Sequence, residues 1–177
     1  VFALDLLVTY LLLNWLPTLV QAKGFTAADG AAAALWLNGF SVVGALFLGW
    51  LADRVGFRWP ATLVFLVLAA AMYGLAQAAT LPAILVFAAL AGFLVVGGLY
   101  VLYALAPIFY PPQIRAGGAG AAVAFGRFGS IAGPVIAGQL RAVGFSPGQV
   151  FQAMIPASLV AAGAVFLLMT VGKPHRD

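Results

Sequence analysis

The chain contains 177 residues, of which 65% are hydrophobic and 7% are charged, and its net charge is +4. A water-soluble domain is typically about 45–50% apolar and about 25% charged, so this composition excludes a soluble enzyme. Intrinsic disorder is excluded as well, because disordered chains have few apolar residues and many charges. Without cysteine and with a single histidine, His175, a thiolate or multi-histidine metal site is not expected, and neither is a cofactor.

The remaining class is a membrane protein, whose backbone satisfies its hydrogen bonds in helices or in a closed barrel. Strands of a membrane barrel alternate apolar and polar residues over roughly 10 positions. This sequence instead has apolar runs of about 20 residues, the length that a membrane-spanning helix needs. The basic residues are few and scattered, so we expect a lipid bilayer as partner and no nucleic acid.

The apolar runs predict six transmembrane helices with short connections and no soluble domain. The first run has no basic flank before it and the chain begins with Val1, so a signal peptide is not expected. We interpret the chain as lacking a preceding segment. The predicted helices cover residues 2–21, 31–52, 59–79, 82–110, 116–140 and 147–171.

The basic residues of the connections predict the orientation. If Val1 is cytoplasmic, most of these residues lie in the cytoplasm, as the positive-inside rule requires. Both ends of the segment are then cytoplasmic. The cytoplasmic group is Arg54, Arg58, Arg115, Lys173 and Arg176, and the outer group is Lys23 and Arg141.

The first predicted helix carries three polar residues, Asp5, Tyr10 and Asn14. A polar side chain in hydrocarbon is costly unless it faces a partner or water. Asp5 has two interpretations. A carboxyl group within the membrane can carry a proton, which predicts a role in proton coupling. Alternatively, Asp5 lies in the membrane interface at the start of the helix.

The connection after the second predicted helix contains the pattern Gly49-x-x-x-Asp53-Arg54-x-Gly56-x-Arg58. Gly49 allows another helix to approach, and Gly56 allows a backbone conformation that a side chain would oppose. Asp53 is placed to cap a helix N-terminus, where its charge suits the helix dipole. Arg54 and Arg58 are expected at the lipid headgroups. The pattern resembles the signature loop of the major facilitator superfamily; an ordinary positively charged turn is the simpler alternative.

The predicted helices differ in polar content. The third and sixth have few polar residues, which predicts that they are lipid-facing supports. The first, second, fourth and fifth carry the polar and aromatic residues, so we expect these four to surround an aqueous cavity.

A second pattern spans the fourth and fifth predicted helices. With the run Asn14-Trp15-Leu16-Pro17 of the first helix, it resembles the aromatic acid:proton symporters of the same superfamily. Within it, Gly129 and Gly133 form a GxxxG pair, which predicts close helix packing. The pattern reads Tyr110-Pro111-x-x-x-Arg115-x-x-Gly118, followed by Gly126-Arg127-x-Gly129-Ser130-x-x-Gly133-Pro134.

The resemblance implies an all-α bundle of six transmembrane helices, the C-terminal half of a twelve-helix carrier whose N-terminal half is missing here. It implies a carrier in the inner membrane that imports an organic anion such as a hydroxybenzoate together with protons, by alternating access. It also assigns Gly49, Asp53, Arg54, Gly56, Arg58 and Arg115 to a cytoplasmic gate. One position departs from the family, because Ile108 stands where relatives have an acid two residues before the tyrosine.

Arg127 is predicted about 18 Å from the cytoplasmic surface, near the middle of the membrane. Insertion scales assign such an arginine a cost of about 2.5–3.5 kcal/mol, so a compensating partner is expected. A substrate carboxylate is one candidate, since guanidinium groups bind carboxylates through charge-assisted, bidentate hydrogen bonds. The alternatives are backbone carbonyls released near Pro134 or an acid of the missing half.

Five further side chains are predicted to form a substrate site with Arg127. Helix rise places the two asparagines roughly 20 Å and Tyr100 roughly 15 Å from the cytoplasmic surface. Aromatic faces and amide donors suit a flat ligand with one charged end. For each tyrosine and asparagine, a hydrogen bond between helices is the alternative. The five are Asn14, Trp36, Asn38, Tyr100 and Tyr103.

Enzymatic chemistry is not expected, because Ser130 and Ser146 have no plausible histidine base and no phosphate-binding or zinc motif is present. Two alternatives to an aromatic acid carrier remain. One is a sugar, sialate or other organic-acid carrier of the same superfamily, and the other is a half-size membrane protein that dimerises or has a structural role. A channel is disfavoured, because no predicted helix carries a polar stripe that could form a ring.

Overall fold

The computed structural model describes residues 1–172, and within this range its regular structure is helical. Lys173 and Arg176, which contribute to the predicted orientation, and His175 lie outside the described residues. The helices are α1 (Phe2–Ala22), α2 (Ala27–Val55), α3 (Arg58–Gln77), α4 (Leu81–Leu105), α5 (Arg115–Ala142), α6 (Pro147–Gln152) and α7 (Ile155–Val171).

Six helical stretches of the described chain are long and apolar enough to cross a membrane, which confirms the predicted all-α bundle of six spans. Two of them are irregular. α4 continues through a 3₁₀ turn at Ala106–Phe109, and α6 and α7 together form the sixth span. Pro107 and Pro156 lie at these irregularities, where the missing N–H and the ring of proline oppose a continuous α-helix.

α2 begins at Ala27, four residues before the predicted start, because Thr26 and Asp29 form a capping box. The backbone N–H of Asp29 donates to Thr26 Oγ1 at 3.2 Å, and the N–H of Thr26 donates to Asp29 Oδ2 at 2.9 Å. These bonds satisfy two backbone donors that the first helical turn otherwise leaves without a partner.

α1 and α5 pack closely along the predicted glycine pair. A Cβ atom at Gly129 would collide with the carbonyl group of Ala3, and one at Gly133 would collide with the carbonyl group of Leu7. Glycine therefore lets the two backbones touch, as small residues do between membrane helices. The close packing predicted for the GxxxG pair is confirmed.

α2 and α4 form a second close pair, which was not predicted. A Cβ atom at Gly44 would collide with the backbone of Phe93, and one at Gly92 would collide with the backbone of Leu37. The two glycines come from different helices, so the pair has no GxxxG signature in either one. The bundle thus contains two glycine-mediated helix pairs, α1–α5 and α2–α4.

α3 is the most enclosed of the six spans. It packs against both α4 and α7, and its apolar side chains belong to the core. The prediction of a lipid-facing third helix is therefore wrong, because a low polar content is equally typical of a helix buried among other helices.

Lys23 connects the C-terminal end of α1 to the C-terminal end of α3. Its ammonium group donates to the carbonyl oxygens of Leu75 at 2.6 Å, Ala76 at 2.9 Å and Ala78 at 2.8 Å. A cation at this position suits the negative end of the helix dipole. Burial lowers the pKa of the Lys23 amino group, while the three oxygens favour its charged form.

α1 and α5 run parallel, and the glycine contacts show which of their residues lie at the same level. Phe2, at the start of α1, lies against Gly126, which is about 16 Å along α5 from Arg115. Farther along, Trp15 lies near Gly138, about 34 Å from the same end of α5. The first turn of α1 therefore lies level with the middle of α5.

Candidate functional site

Arg127 lies on α5 next to the α1 interface, and its side chain is exposed within the described bundle. Its Nη1 donates a hydrogen bond to the hydroxyl oxygen of Tyr10 at 3.3 Å. Within residues 1–172, the structure shows neither an acidic partner nor a backbone carbonyl bonded to this guanidinium. Most of its five donors therefore remain available to a ligand or to another part of the protein.

Tyr10 belongs to a polar row on the exposed side of α1. Asn14, one turn later, donates from Nδ2 to the carbonyl oxygen of Tyr10 at 2.7 Å. Thr18 and Gln21 continue the row, and both are exposed. The spacing of these four residues places them on one helix face. The same spacing in the sequence could have identified Thr18 and Gln21, which were not predicted.

An aromatic row extends from the start of α1 to α4. The ring centroids of Phe2 and Tyr103 are 5.5 Å apart, and those of Tyr103 and Tyr100 are 6.1 Å apart with an edge-on geometry. Phe2 lies against Gly126, the residue before Arg127. The predicted aromatic residues of α4 are thus connected to the region of the guanidinium through Phe2.

Asn38 lies on the side of α2 that faces α1. It borders a groove that Pro17 and Gln21 of α1 also line. Its Nδ2 donates to the carbonyl oxygen of Ala34 at 2.8 Å, within its own helix. Asn38 therefore makes no hydrogen bond between helices in the described structure.

Trp36 lies on the opposite side of α2 from Asn38, since two residues correspond to about 200° of helix rotation. Its ring stacks on Phe40 at 5.5 Å between centroids, in a groove bordered by Phe93 of α4. The structure therefore does not bring Trp36 together with Asn38 or with the tyrosines.

The predicted site residues form a column along the bundle and do not share one depth. Tyr103 and Phe2 lie near the level of Gly126. Asn14 precedes Trp15, which lies near Gly138, so Asn14 is about 30–35 Å along α5 from Arg115. The depth of roughly 20 Å that was predicted for Asn14 is wrong, because the count began at Phe2, which lies level with Gly126 and not with Arg115.

Asp5 is buried, with 1% of its surface exposed. Both carboxylate oxygens lack a hydrogen-bond partner in the described structure. Because Ala3 lies against Gly129, about 21 Å along α5, Asp5 is near the middle of the bundle. The interfacial interpretation of Asp5 is therefore wrong; its role in proton coupling stays a prediction.

The predicted gate loop follows α2. Asp53 lies exposed in the last turn of α2, and α3 begins with Phe57 at its N-cap position, without a side-chain hydrogen bond. The capping role predicted for Asp53 is wrong, since α2 continues to Val55.

Gly56 has a φ of +81°, which confirms its special backbone conformation. A Cβ at Gly49 would meet no atom of the described chain within 4 Å, so an approaching helix stays a prediction there.

Two of the arginines predicted for the gate lie beside aromatic rings. The guanidinium carbon of Arg54 is 5.2 Å from the ring centroid of Trp50. That of Arg58 is 5.6 Å from Trp59 and 5.0 Å from Phe166 of α7. Cation–π contacts of this kind hold arginines beside indole and phenyl rings.

Arg115 begins α5 at the same end of the bundle. It is half-buried, and its Nε donates to the carbonyl oxygen of Tyr110 at 3.4 Å. Across the described residues, no group of three or more His, Cys, Asp or Glu side chains could hold a metal ion.

The six spans define a multi-pass membrane protein. The chain belongs to the Major Facilitator Superfamily, whose family model matches residues 1–177. It is similar to the 3-(3-hydroxy-phenyl)propionate transporter of Escherichia coli, with 40% identity over 93% of the chain. It is also similar to the niacin transporter NiaP of Acinetobacter baylyi, with 34% identity over 93%, and to the 4-hydroxybenzoate transporter PcaK of Pseudomonas aeruginosa, with 32% over 94%.

The chain spans 41%, 38% and 37% of the lengths of these three relatives. The family and its resemblance to aromatic acid transporters agree with the prediction from the two sequence patterns. The relatives are transporters and not enzymes.

Proposed function

We propose that this chain is the C-terminal half of a secondary transporter that imports an aromatic carboxylate together with protons. Arg127 carries this proposal. Its guanidinium lies near the middle of α5 on an exposed face, bonds to the Tyr10 hydroxyl and has no acidic partner among the described residues. A substrate carboxylate supplies the negative charge that compensates for such a cation.

The aromatic row supports a ring next to that carboxylate. Tyr103 and Phe2 are 5.5 Å apart, and Phe2 is packed beside Gly126, directly before Arg127. Aromatic side chains bind aromatic ligands through offset or edge-on contacts. Tyr100 extends the row into a cavity of about 400 Å³ between α2 and α4. A flat ligand with its charged end at Arg127 fits this arrangement.

The names of the relatives support the same class of substrate. Hydroxyphenylpropionate, niacin and hydroxybenzoate each consist of an aromatic ring that carries a carboxyl group. A sugar has neither feature, so the sugar carrier is the weaker alternative.

The exposed faces of α1, α2 and α5 support a second half. These faces carry Arg127, Asn14 and Asn38, which are costly against lipid. We propose that a preceding six-helix half covers them, encloses the substrate at the interface and rocks against this half. In this arrangement the gate glycines and arginines face the cytoplasm of an inner membrane, and both ends of the segment are cytoplasmic.

The test is uptake of a radiolabelled hydroxybenzoate or hydroxyphenylpropionate by the full-length protein in proteoliposomes, with an imposed pH gradient. We expect uptake that an unlabelled aromatic acid inhibits and a sugar does not. Arg127→Ala should abolish it, whereas Arg141→Gln, which removes another cation of α5, should retain it. Wild-type uptake that is absent, or unchanged in Arg127→Ala, contradicts the proposal.

A further inference from the structure

The carboxyl group of Asp5 is enclosed by three helices. It is 1% exposed, and neither of its oxygens has a hydrogen-bond partner in the described residues. A Cβ atom at Gly98 of α4 would lie 3.9 Å from Asp5 Oδ1 and 2.8 Å from Val64 Cγ1 of α3. Because residue 98 has no side chain, α4 leaves space next to the carboxyl group of Asp5.

Other ionisable groups do not bond to this carboxyl. The described residues of α7 contain no titratable side chain. Thr9 Oγ1 donates to the backbone carbonyl of Asp5 and not to its carboxylate. The other titratable groups on α1, α3, α4 and α5 are Tyr10, Arg58, Tyr73, Tyr100, Tyr103, Arg115, Arg127 and Arg141.

An ionised carboxylate without hydrogen bonds is strongly disfavoured in an apolar interior. The close packing seen here is therefore the arrangement of the neutral, protonated group. Ionisation requires water or a new donor to reach the oxygens, and both oxygens are buried in this packing. Loss of the proton must therefore separate α1 from α4 and α3 at this level.

Asp5 and Tyr10 point to different sides of α1. Five residues correspond to about 140° of rotation along an α-helix, so the acid faces the core while the tyrosine faces Arg127. A movement of α1 that follows ionisation of Asp5 also moves Tyr10, and with it the partner of the guanidinium. α1 thus connects a proton site to an anion site without direct contact between them.

We propose that Asp5 is the coupling-proton site and that it acts by controlling the packing of α1 against α4, from the side opposite the substrate. This inference rests on the proposed transport function. In each cycle the Asp5 carboxylate accepts one proton from water on the outer side and releases one to water on the cytoplasmic side. No other bond is made or broken, and one proton accompanies each substrate anion.

The first test compares Asp5→Asn with Thr9→Val in the full-length carrier. Asparagine imitates the neutral acid, so it should retain substrate exchange across the membrane at equal pH. It should lose accumulation driven by a gradient of one pH unit, which for one proton per anion supports about tenfold enrichment. Thr9→Val, a buried neighbour without a titratable group, should retain both. An Asp5→Asn carrier that still accumulates substrate, or that loses exchange while remaining monodisperse, overturns the inference.

The second test does not require transport. Thr18 lies on the exposed face of α1, and the 177-residue segment contains no cysteine. The experiment uses a full-length protein in which Thr18→Cys is the only cysteine. The rate of maleimide labelling at this position should depend on pH more strongly than the rate for a model thiol. Asp5→Asn should remove this additional pH dependence. Labelling that follows the model thiol in both backgrounds overturns the inference. If wild-type uptake fails while the Asp5-dependent change persists, the proposed substrate is wrong and the proton site stands.

Discussion

Arg127 and Tyr10 are 117 positions apart in the sequence, yet the guanidinium Nη1 donates to the tyrosine hydroxyl at 3.3 Å. This bond connects the middle of α5 to the exposed side of α1. It is possible because Gly129 and Gly133 let the backbones of the two helices touch. The packing of these glycines therefore determines where Arg127 meets Tyr10.

Replacing Tyr10 with phenylalanine should weaken substrate binding. The hydroxyl orients the guanidinium, and a hydrogen bond to a charged group contributes about 1.5–3 kcal/mol, or roughly tenfold or more in affinity. The Kd for an aromatic carboxylate, measured by calorimetry on the full-length protein, tests this. Tyr73→Phe is the matched control, because its hydroxyl contacts Gln77 on α3. Equal Kd values for Tyr10→Phe and wild type would exclude an orienting role.

Gly129→Ala should destabilise the bundle, whereas Gly120→Ala should not. The added methyl group at position 129 collides with the carbonyl of Ala3, and overpacking of this kind costs about 1–3 kcal/mol. At position 120, on the same helix, a Cβ meets no atom within 4 Å. Thermal unfolding in detergent measures the difference. Similar Tm values for the two variants would show that α1 and α5 do not touch at this position.

Lys23→Met should lower the thermal stability by removing three hydrogen bonds to the end of α3. Charge-assisted hydrogen bonds are stronger than neutral ones, and we expect a loss of about 2 kcal/mol. Gln21→Ala is the control, since Gln21 is exposed and belongs to the same end of α1. The same Tm for Lys23→Met and Gln21→Ala would argue against this connection between α1 and α3.

Tyr103→Leu and Trp36→Leu should have different effects on substrate affinity. Tyr103 belongs to the row that reaches Phe2, whereas Trp36 lies on the far side of α2. Loss of an aromatic contact costs about 0.5–1.5 kcal/mol, so the KM of Tyr103→Leu should rise roughly twofold to tenfold. An unchanged KM for Trp36→Leu is expected in the same uptake assay. The reverse pattern would place the binding site of the substrate ring beside Trp36 and not beside Tyr103.

The number and approximate bounds of the helices were predictable from the sequence because membrane spans have a length and an apolar composition that local residues determine. The GxxxG pair and the φ of Gly56 were predictable for the same reason, as both depend on short patterns. The start of α2 was misplaced by four residues, since a capping box within an alanine-rich segment determines it.

Relations between helices were not predictable in this way. Counting residues from Phe2 gave Asn14 the wrong depth, because Phe2 lies level with Gly126 and not with the start of α5. The contact between α2 and α4 depends on Gly44 and Gly92, which lie on different helices and form no local pattern. The enclosure of α3 and of Asp5 also follows from packing between distant parts of the chain, which hydropathy does not encode.

The central claim is that Arg127 binds the carboxylate of an aromatic substrate. The most direct test is the affinity of the full-length protein for an aromatic acid and for its neutral amide, measured in wild type and in Arg127→Gln. We expect wild type to prefer the acid by about tenfold or more, in line with a charge-assisted pair, and Arg127→Gln to bind both equally weakly. Equal preference for the acid in both proteins would contradict the claim.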